Sequence, residues 1–92
     1  MKQEIAETGA VRVLGWLVGE EDLLPVFLGA TGATLADLRV QAGDPEFLAS
    51  LLDFVLMDDA WVIRCADALG LPPGDLGAMR QALPGGSLPN WT

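Results

Sequence analysis

The sequence predicts an all-α protein: a compact bundle of five or six short helices followed by an extended C-terminal tail. Apolar residues recur with the helical period along most of the chain. Proline, glycine and aspartate stand at the positions that begin and end helices. No stretch alternates with a period of two for long enough to form a strand; residues 11–14 come nearest, and the helical period around them is stronger.

The first part of the chain predicts two helices. The first places five apolar residues on one face: Ala6, Ala10, Val13, Leu14 and Leu17. Gly19 is expected to end it in a left-handed cap. The acidic residues 20–22 favour the positive end of the second helix, and Pro25 fits only its first turn. This helix is expected to end at residues 31–32.

Two more helices follow. Thr34 and Asp37 form a capping-box pair for the third, which ends near Ala42. Asp44 and Pro45 are a strong start signal for the fourth. The fourth helix is the most apolar segment and is expected at the centre of the core. Its apolar residues are Phe47, Leu48, Leu51, Leu52, Val55 and Leu56.

The last part of the chain predicts a fifth and a sixth helix. Residues 58–59 either cap the fifth helix or kink a helix that is continuous with the fourth. The fifth helix carries Trp61, Val62, Cys65, Ala68 and Leu69. Gly70 closes it, and Pro73 and Asp75 open the sixth, which runs to about Leu83.

Length and composition predict one domain over residues 1–83 with a tail over residues 84–92. Apolar residues make up 51% of the chain, which is too many for a disordered protein and many for a small monomer. A partner or second copy that covers part of the surface explains this fraction as well as a dense core does. The chain has no signal-peptide core and no apolar run of the ~20 residues that span a membrane, so a soluble cytoplasmic protein is expected.

The charge balance argues against several ligands. The net charge is −8, with 13 acidic and 5 scattered basic residues. Nucleic acids and anionic membranes are bound mainly through clustered cations, so neither is expected as a direct ligand. A protein partner with a basic surface fits this charge better.

The residue types also argue against an enzyme. The chain has no histidine and a single cysteine, so the usual pairs of nucleophile and base, internal disulfides and cysteine zinc clusters are not expected. Cys65 is expected to be a buried structural residue. The carboxylates at residues 20–22 and 58–59 are expected to favour helix starts. No catalytic, metal-binding or cofactor-binding residue is therefore predicted.

Three tryptophans are candidate partner-binding residues. Trp16 and Trp61 lie within helices, where each either packs in the core or anchors a partner. Trp91 lies in the tail, where it either fills a groove of the domain or is presented to a partner.

A series of short motifs resembles a known bacterial family. These motifs are residues 27–28 (FL), 31–32 (TG), 37–39 (DLR), 45–48 (PEFL), 51–54 (LLDF), 58–59 (DD), 70–72 (GLP), 83–86 (LPGG) and 89–92 (PNWT). Their order and spacing resemble the family catalogued as domain of unknown function 3572. The family commonly has histidine before this tryptophan, whereas this sequence has Asn90. The resemblance implies a stand-alone, helical, cytoplasmic protein and supplies no activity.

The function predicted is that of a small adaptor or regulator that acts by protein–protein contact, either as a monomer or as a homodimer. The alternative is a DNA-associated regulator with a helix-turn-helix. Residues 31–38 and 69–76 share Gly, Asp and Leu across a helix–turn–helix junction, although every such junction favours these residues. An enzyme that uses carboxylates alone is a third alternative.

Deletion of residues 89–92 tests the role of Trp91. We expect a lower melting temperature, because an indole that fills a groove of a small domain adds buried apolar area. An unchanged melting temperature together with lost partner binding would instead identify Trp91 as a partner anchor.

Overall fold

Six helices follow one another in the computed structural model, which describes residues 1–85. They are α1 (Gln3–Val18), α2 (Leu24–Thr31), α3 (Leu35–Gln41), α4 (Pro45–Val55), α5 (Asp59–Leu69) and α6 (Gly74–Ala82). No strand occurs in this part of the chain, so the predicted all-α class is confirmed. The tail with Trp91 lies outside the described residues.

The longest helix, α1, contacts three other helices. The five residues predicted for its inner face, Ala6, Ala10, Val13, Leu14 and Leu17, are all buried. This face packs against α4, α5 and α6. The alanines allow close approach of the neighbouring helices, while the larger residues fill the space between them.

Helix α4 supplies the largest share of the core. Its buried residues are Leu48, Ala49, Leu51, Leu52, Phe54 and Val55. The helix starts as predicted, since the Asp44 side chain accepts a hydrogen bond of 3.0 Å from the backbone N–H of Glu46 and Pro45 occupies the first turn. The prediction that α4 lies in the centre of the core is confirmed by this burial.

Aromatic contacts join α2 and α5 to α4. The fully buried Phe27 of α2 meets Phe47 and Phe54 edge to face, with ring centroids 6.0 Å and 5.2 Å apart. Trp61 of α5 stacks on Phe54 at 5.0 Å. Such pairs contribute about 0.5–1.5 kcal/mol each beyond the burial of their surface. The short helix α2, which has only one buried residue, is held mainly through this cluster.

The predicted caps of α3 and α5 are present. Thr34 and Asp37 form a reciprocal capping box, with bonds of 3.0 Å and 3.2 Å between side chains and backbone N–H groups. Asp58 accepts a bond of 2.8 Å from the N–H of Ala60. Residues 56–58 lie outside the helices, so α4 and α5 are separate rather than one kinked helix.

The glycine caps agree with the prediction at two of three helix ends. Gly32 and Gly70 are left-handed, with φ of 74° and 69°. Gly19 is not, because its φ is −84°. The chain continues past α1 in a further tight turn, in which the N–H of Glu20 donates to the carbonyl of Leu17 at 2.9 Å. A left-handed cap at Gly19 was therefore the wrong prediction.

One capping role is also corrected. Asp75 lies in the first turn of α6 but makes no capping bond, since the helix starts from Pro73 without a side-chain cap. The junctions at residues 31–38 and 69–76 thus share a left-handed glycine, but they do not share a capping aspartate.

Replacement of Leu51 by alanine tests the core. Leu51 is fully buried on α4, so we expect Leu51→Ala to lower the free energy of unfolding by about 2–5 kcal/mol, as measured by chemical denaturation. Ile63→Ala is the matched control, because Ile63 is 54% exposed on α5 and lies outside the core, and it should change this free energy by less than about 1 kcal/mol. Equal losses in both variants would contradict this core assignment.

Candidate protein-interaction groove

An open apolar groove of about 450 Å³ lies between α1 and α3. We call it the α1–α3 groove. It is lined by Val11, Leu14, Gly15 and Val18 of α1, and by Leu35, Leu38, Arg39 and Ala42 on and after α3. Val11, Val18 and Leu35 are 44%, 44% and 54% exposed. Apolar side chains with this much exposure, gathered in one groove, are typical of a surface that contacts another chain.

The groove exists because α1 has a second stripe that no other helix of residues 1–85 covers. This outer stripe consists of Glu4, Thr8, Val11, Gly15 and Val18, which are separated alternately by four and three residues and are all exposed. The neighbouring helix α3 has seven residues and a single buried side chain, Leu38. It is too short to fold over the stripe, and it forms a wall beside α1 instead.

The groove continues into a second recess towards the start of α1. This recess is lined by Glu4, Glu7, Thr8, Gly43 and Leu48, and it shares Val11 and Ala42 with the groove. Because Ala42 lies beside Val11 and Glu7, α3 runs antiparallel to α1 along the groove. One end of the combined surface is therefore acidic.

The other part of the groove carries a cation. Arg39 is exposed and lines the groove. It precedes Ala42 by three residues, so with α3 antiparallel to α1 it lies about one turn from Val11 towards Val18, near the level of Leu14 and Gly15. Within residues 1–85 it makes no side-chain hydrogen bond or salt bridge. Its guanidinium is thus available to a carboxylate of an incoming chain.

The other three arginines are engaged within the chain. Arg12 donates to the carbonyl of Leu69 at 3.0 Å, and Arg80 pairs with Asp53 at 2.6 Å. Arg64 of α5 bonds to Glu20 at 2.8 Å and to Asp22 at 3.0 Å.

The contacts of Arg64 correct the role predicted for the acids before α2. Glu20 and Asp22 bind Arg64, and α2 has no side-chain cap. The hydrogen bond from Arg64 lowers the pKa of the Asp22 carboxyl. Hydrogen bonds to Glu20 and Asp22 in turn raise the pKa of Arg64. These acids therefore tie α5 to the α1–α2 turn.

Another recess, of about 380 Å³, lies between α1 and α6. Met1 and Ile5 are exposed at its edge, and Met79 forms part of its wall. Its lining is mixed, with Glu4, Arg12 and Asp75 beside the apolar residues, and the cation there already has a partner in Leu69. It has less apolar area to offer than the α1–α3 groove.

Neither Trp16 nor Trp61 lines the groove. Trp16 is half-buried against the core, and Trp61 is stacked on Phe54. Trp91 lies outside the described residues, so its role stays a prediction. Sequence reasoning missed Val11, Val18 and Arg39. The alternating spacing of the outer stripe was the signal that could have indicated the first two.

Chemistry at Cys65 is suppressed by its surroundings. The thiol is fully buried, and this desolvation, with a smaller contribution from the charge of Glu20, raises its pKa to about 11. No cluster of three or more potential metal ligands occurs in residues 1–85. None of the helices in residues 1–85 has both the length and the apolar character of a membrane span.

Alkylation of Cys65 tests this environment. A pKa raised from 9.0 to about 11 leaves about 100-fold less thiolate at pH 8. We therefore expect iodoacetamide to modify the native protein at least about 100-fold more slowly than the urea-unfolded chain, with mass spectrometry as the readout. Equal rates would show an accessible thiol and contradict the structural role.

A family model covers most of the chain. The family described as "Protein of unknown function (DUF3572)" matches residues 3–86, a stretch that includes all six helices. No curated protein and no solved structure shows significant similarity to the chain. The resemblance inferred from the short motifs is confirmed, and the chain belongs to the DUF3572 family of proteins of unknown function.

Proposed function

We propose that this protein is a non-enzymatic, cytoplasmic interaction module, an adaptor or regulator, and that the α1–α3 groove is its contact surface. The observation that carries the proposal is the outer stripe of α1, where exposed Val11 and Val18 face exposed Leu35 across a groove. The outer stripe is long enough to contact an amphipathic helix of a partner, because residues 4–18 span about 21 Å at the rise of an α-helix.

The energetics favour occupation of the groove. Full burial of a valine or leucine side chain stabilises a complex by about 1.5–3 kcal/mol, and these side chains have roughly half of that still to gain. Gly15 leaves open space where a side chain would otherwise stand, so a partner helix can approach the backbone of α1 closely. A partner that presents an acidic group near Arg39 would also complete a charged hydrogen bond.

The non-enzymatic part of the proposal is supported by the residue inventory. The chain has no histidine, and its single thiol is buried with a raised pKa. The exposed carboxylates at Asp44 and Asp58 accept hydrogen bonds from helix N–H groups, which accounts for their positions without a catalytic role.

The DNA-associated alternative gains no support from α3, the helix that follows the α2–α3 junction. Its charged residues are Asp37 and Arg39, and the carboxylate of Asp37 belongs to the capping box. A recognition helix uses several cations to neutralise phosphates, so one arginine beside an acid is a poor match.

Site-specific crosslinking tests the contact surface. A photo-crosslinking amino acid is placed at Val18, in the groove, or at Val40, which is 83% exposed on α3 but does not line the groove. After irradiation of the native cell, we expect adducts with a second polypeptide from position 18 and few from position 40. Gel mobility and mass spectrometry detect any partner, including another copy of the chain.

Two results would contradict the proposal. Adducts from neither position would show that no chain occupies the groove. Equal adducts from both positions would show non-specific encounter instead of a defined contact surface.

A further inference from the structure

We propose that the partner in the α1–α3 groove is a second copy of the chain, with the two α1 helices antiparallel about a two-fold axis at Val11. This inference rests on the proposed function, because it assigns an occupant to the same groove. Three features of residues 1–85 support a second copy as the partner: the spacing of the outer stripe, the open space at Gly15 and the positions of unlike charges.

The spacing of the outer stripe fits a helix–helix contact. Alternating steps of four and three residues keep one face of a helix against another over several turns. In the outer stripe the last three positions are apolar or small, Val11, Gly15 and Val18, and the first two are polar. Val11 is the middle residue of the five. An axis at the middle of the stripe lets both copies use its full length, so that each covers the stripe of the other.

The open space at Gly15 permits a short distance between the helices. A side chain built at Gly15 would meet no atom within 4 Å, so the space in front of this glycine is open. Helix axes approach to about 8–10 Å in packed pairs, with the shorter distances at small residues. In the antiparallel arrangement Gly15 of each copy faces the region of Thr8 and Glu7 in the other.

The charges select the antiparallel direction. Glu7 lies four residues before Val11 and Gly15 lies four residues after it, about 6 Å to either side along the axis. Because Arg39 lies at the level of Gly15, the two-fold axis brings Arg39 of each copy opposite Glu7 of the other. The two resulting ion pairs are identical by symmetry.

A parallel arrangement is disfavoured by the same charges. In a parallel pair, Arg39 of one copy would lie at the level of Arg39 of the other, and Glu7 at the level of Glu7, so neither cation would meet a carboxylate across the interface. The Glu7 carboxylate is able to bind both Gln3 of its own chain and Arg39 of the second copy, since Gln3 donates to only one of its oxygens, at 2.9 Å. The apolar fraction of 51%, high for a small monomer, is also consistent with a covered stripe.

Charge reversal tests the pairing. By light scattering, the purified wild-type protein should have twice the 9.7 kDa mass of the chain. Arg39→Glu should place a glutamate opposite Glu7 at both symmetry-related contacts. Glu7→Arg should place an arginine opposite Arg39 at both contacts. We expect each variant to raise the dimer dissociation constant at least tenfold. Val40→Asp, outside the groove, is the control and should dimerise like the wild type.

Mixing the two single variants gives the sharper result. A heterodimer of the Arg39→Glu chain with the Glu7→Arg chain restores both unlike pairs, so two weakly associating proteins should combine one to one. The double variant in one chain should dimerise again for the same reason. Circular dichroism of each variant should show unchanged helicity, because Arg39 is exposed and Glu7 is only half-buried, at an open recess.

The outcomes separate this inference from the proposed function. A monomeric wild-type protein that still crosslinks from position 18 to a different protein would overturn the dimer and leave the interaction surface in place. Single variants that dimerise normally, or a mixture that does not associate, would overturn the antiparallel pairing. Absence of any adduct from position 18 would remove the contact surface itself.

Discussion

Helix α1 packs against three of the other five described helices, and its position decides where the remaining helices can lie. A helix buries one stripe well, and the inner stripe of α1 is used fully against α4, α5 and α6. Within residues 1–85, only the short α2 and α3 are then left to cover the remaining sides of α1. Helix α3 stands beside α1 without covering its outer stripe, and so the same helix that organises the core also presents an apolar groove.

The peripheral helices are held by local devices rather than by large buried faces. Helix α2 contributes one fully buried side chain, Phe27, whose edge-to-face contacts join it to α4. Helix α3 contributes one buried leucine and depends on its capping box. Because α2 and α3 bury so few side chains, α3 lines one side of the α1–α3 groove, and the groove stays open within the described residues.

The helices and most of their ends could be predicted because their signals are local. Asp44-Pro45 and Thr34 with Asp37 determine helix starts through bonds within one turn, and Gly32 and Gly70 end helices through their own backbone conformation. The prediction failed where a distant residue decides. Glu20 and Asp22 look like helix-capping acids in the sequence, but they bind Arg64 from more than 40 positions away.

The groove could be predicted only in part for the same reason. The spacing of the outer stripe is visible in the sequence, but its exposure depends on where α3 lies, and Arg39 enters the groove only through that placement. Isotope-filtered NMR on a mixture of labelled and unlabelled chains tests whether the outer stripe contacts a second copy with Val11 on the two-fold axis. Intermolecular contacts between Val11 methyl groups, with none from Val40, are the predicted result; intermolecular contacts absent at Val11 would contradict it.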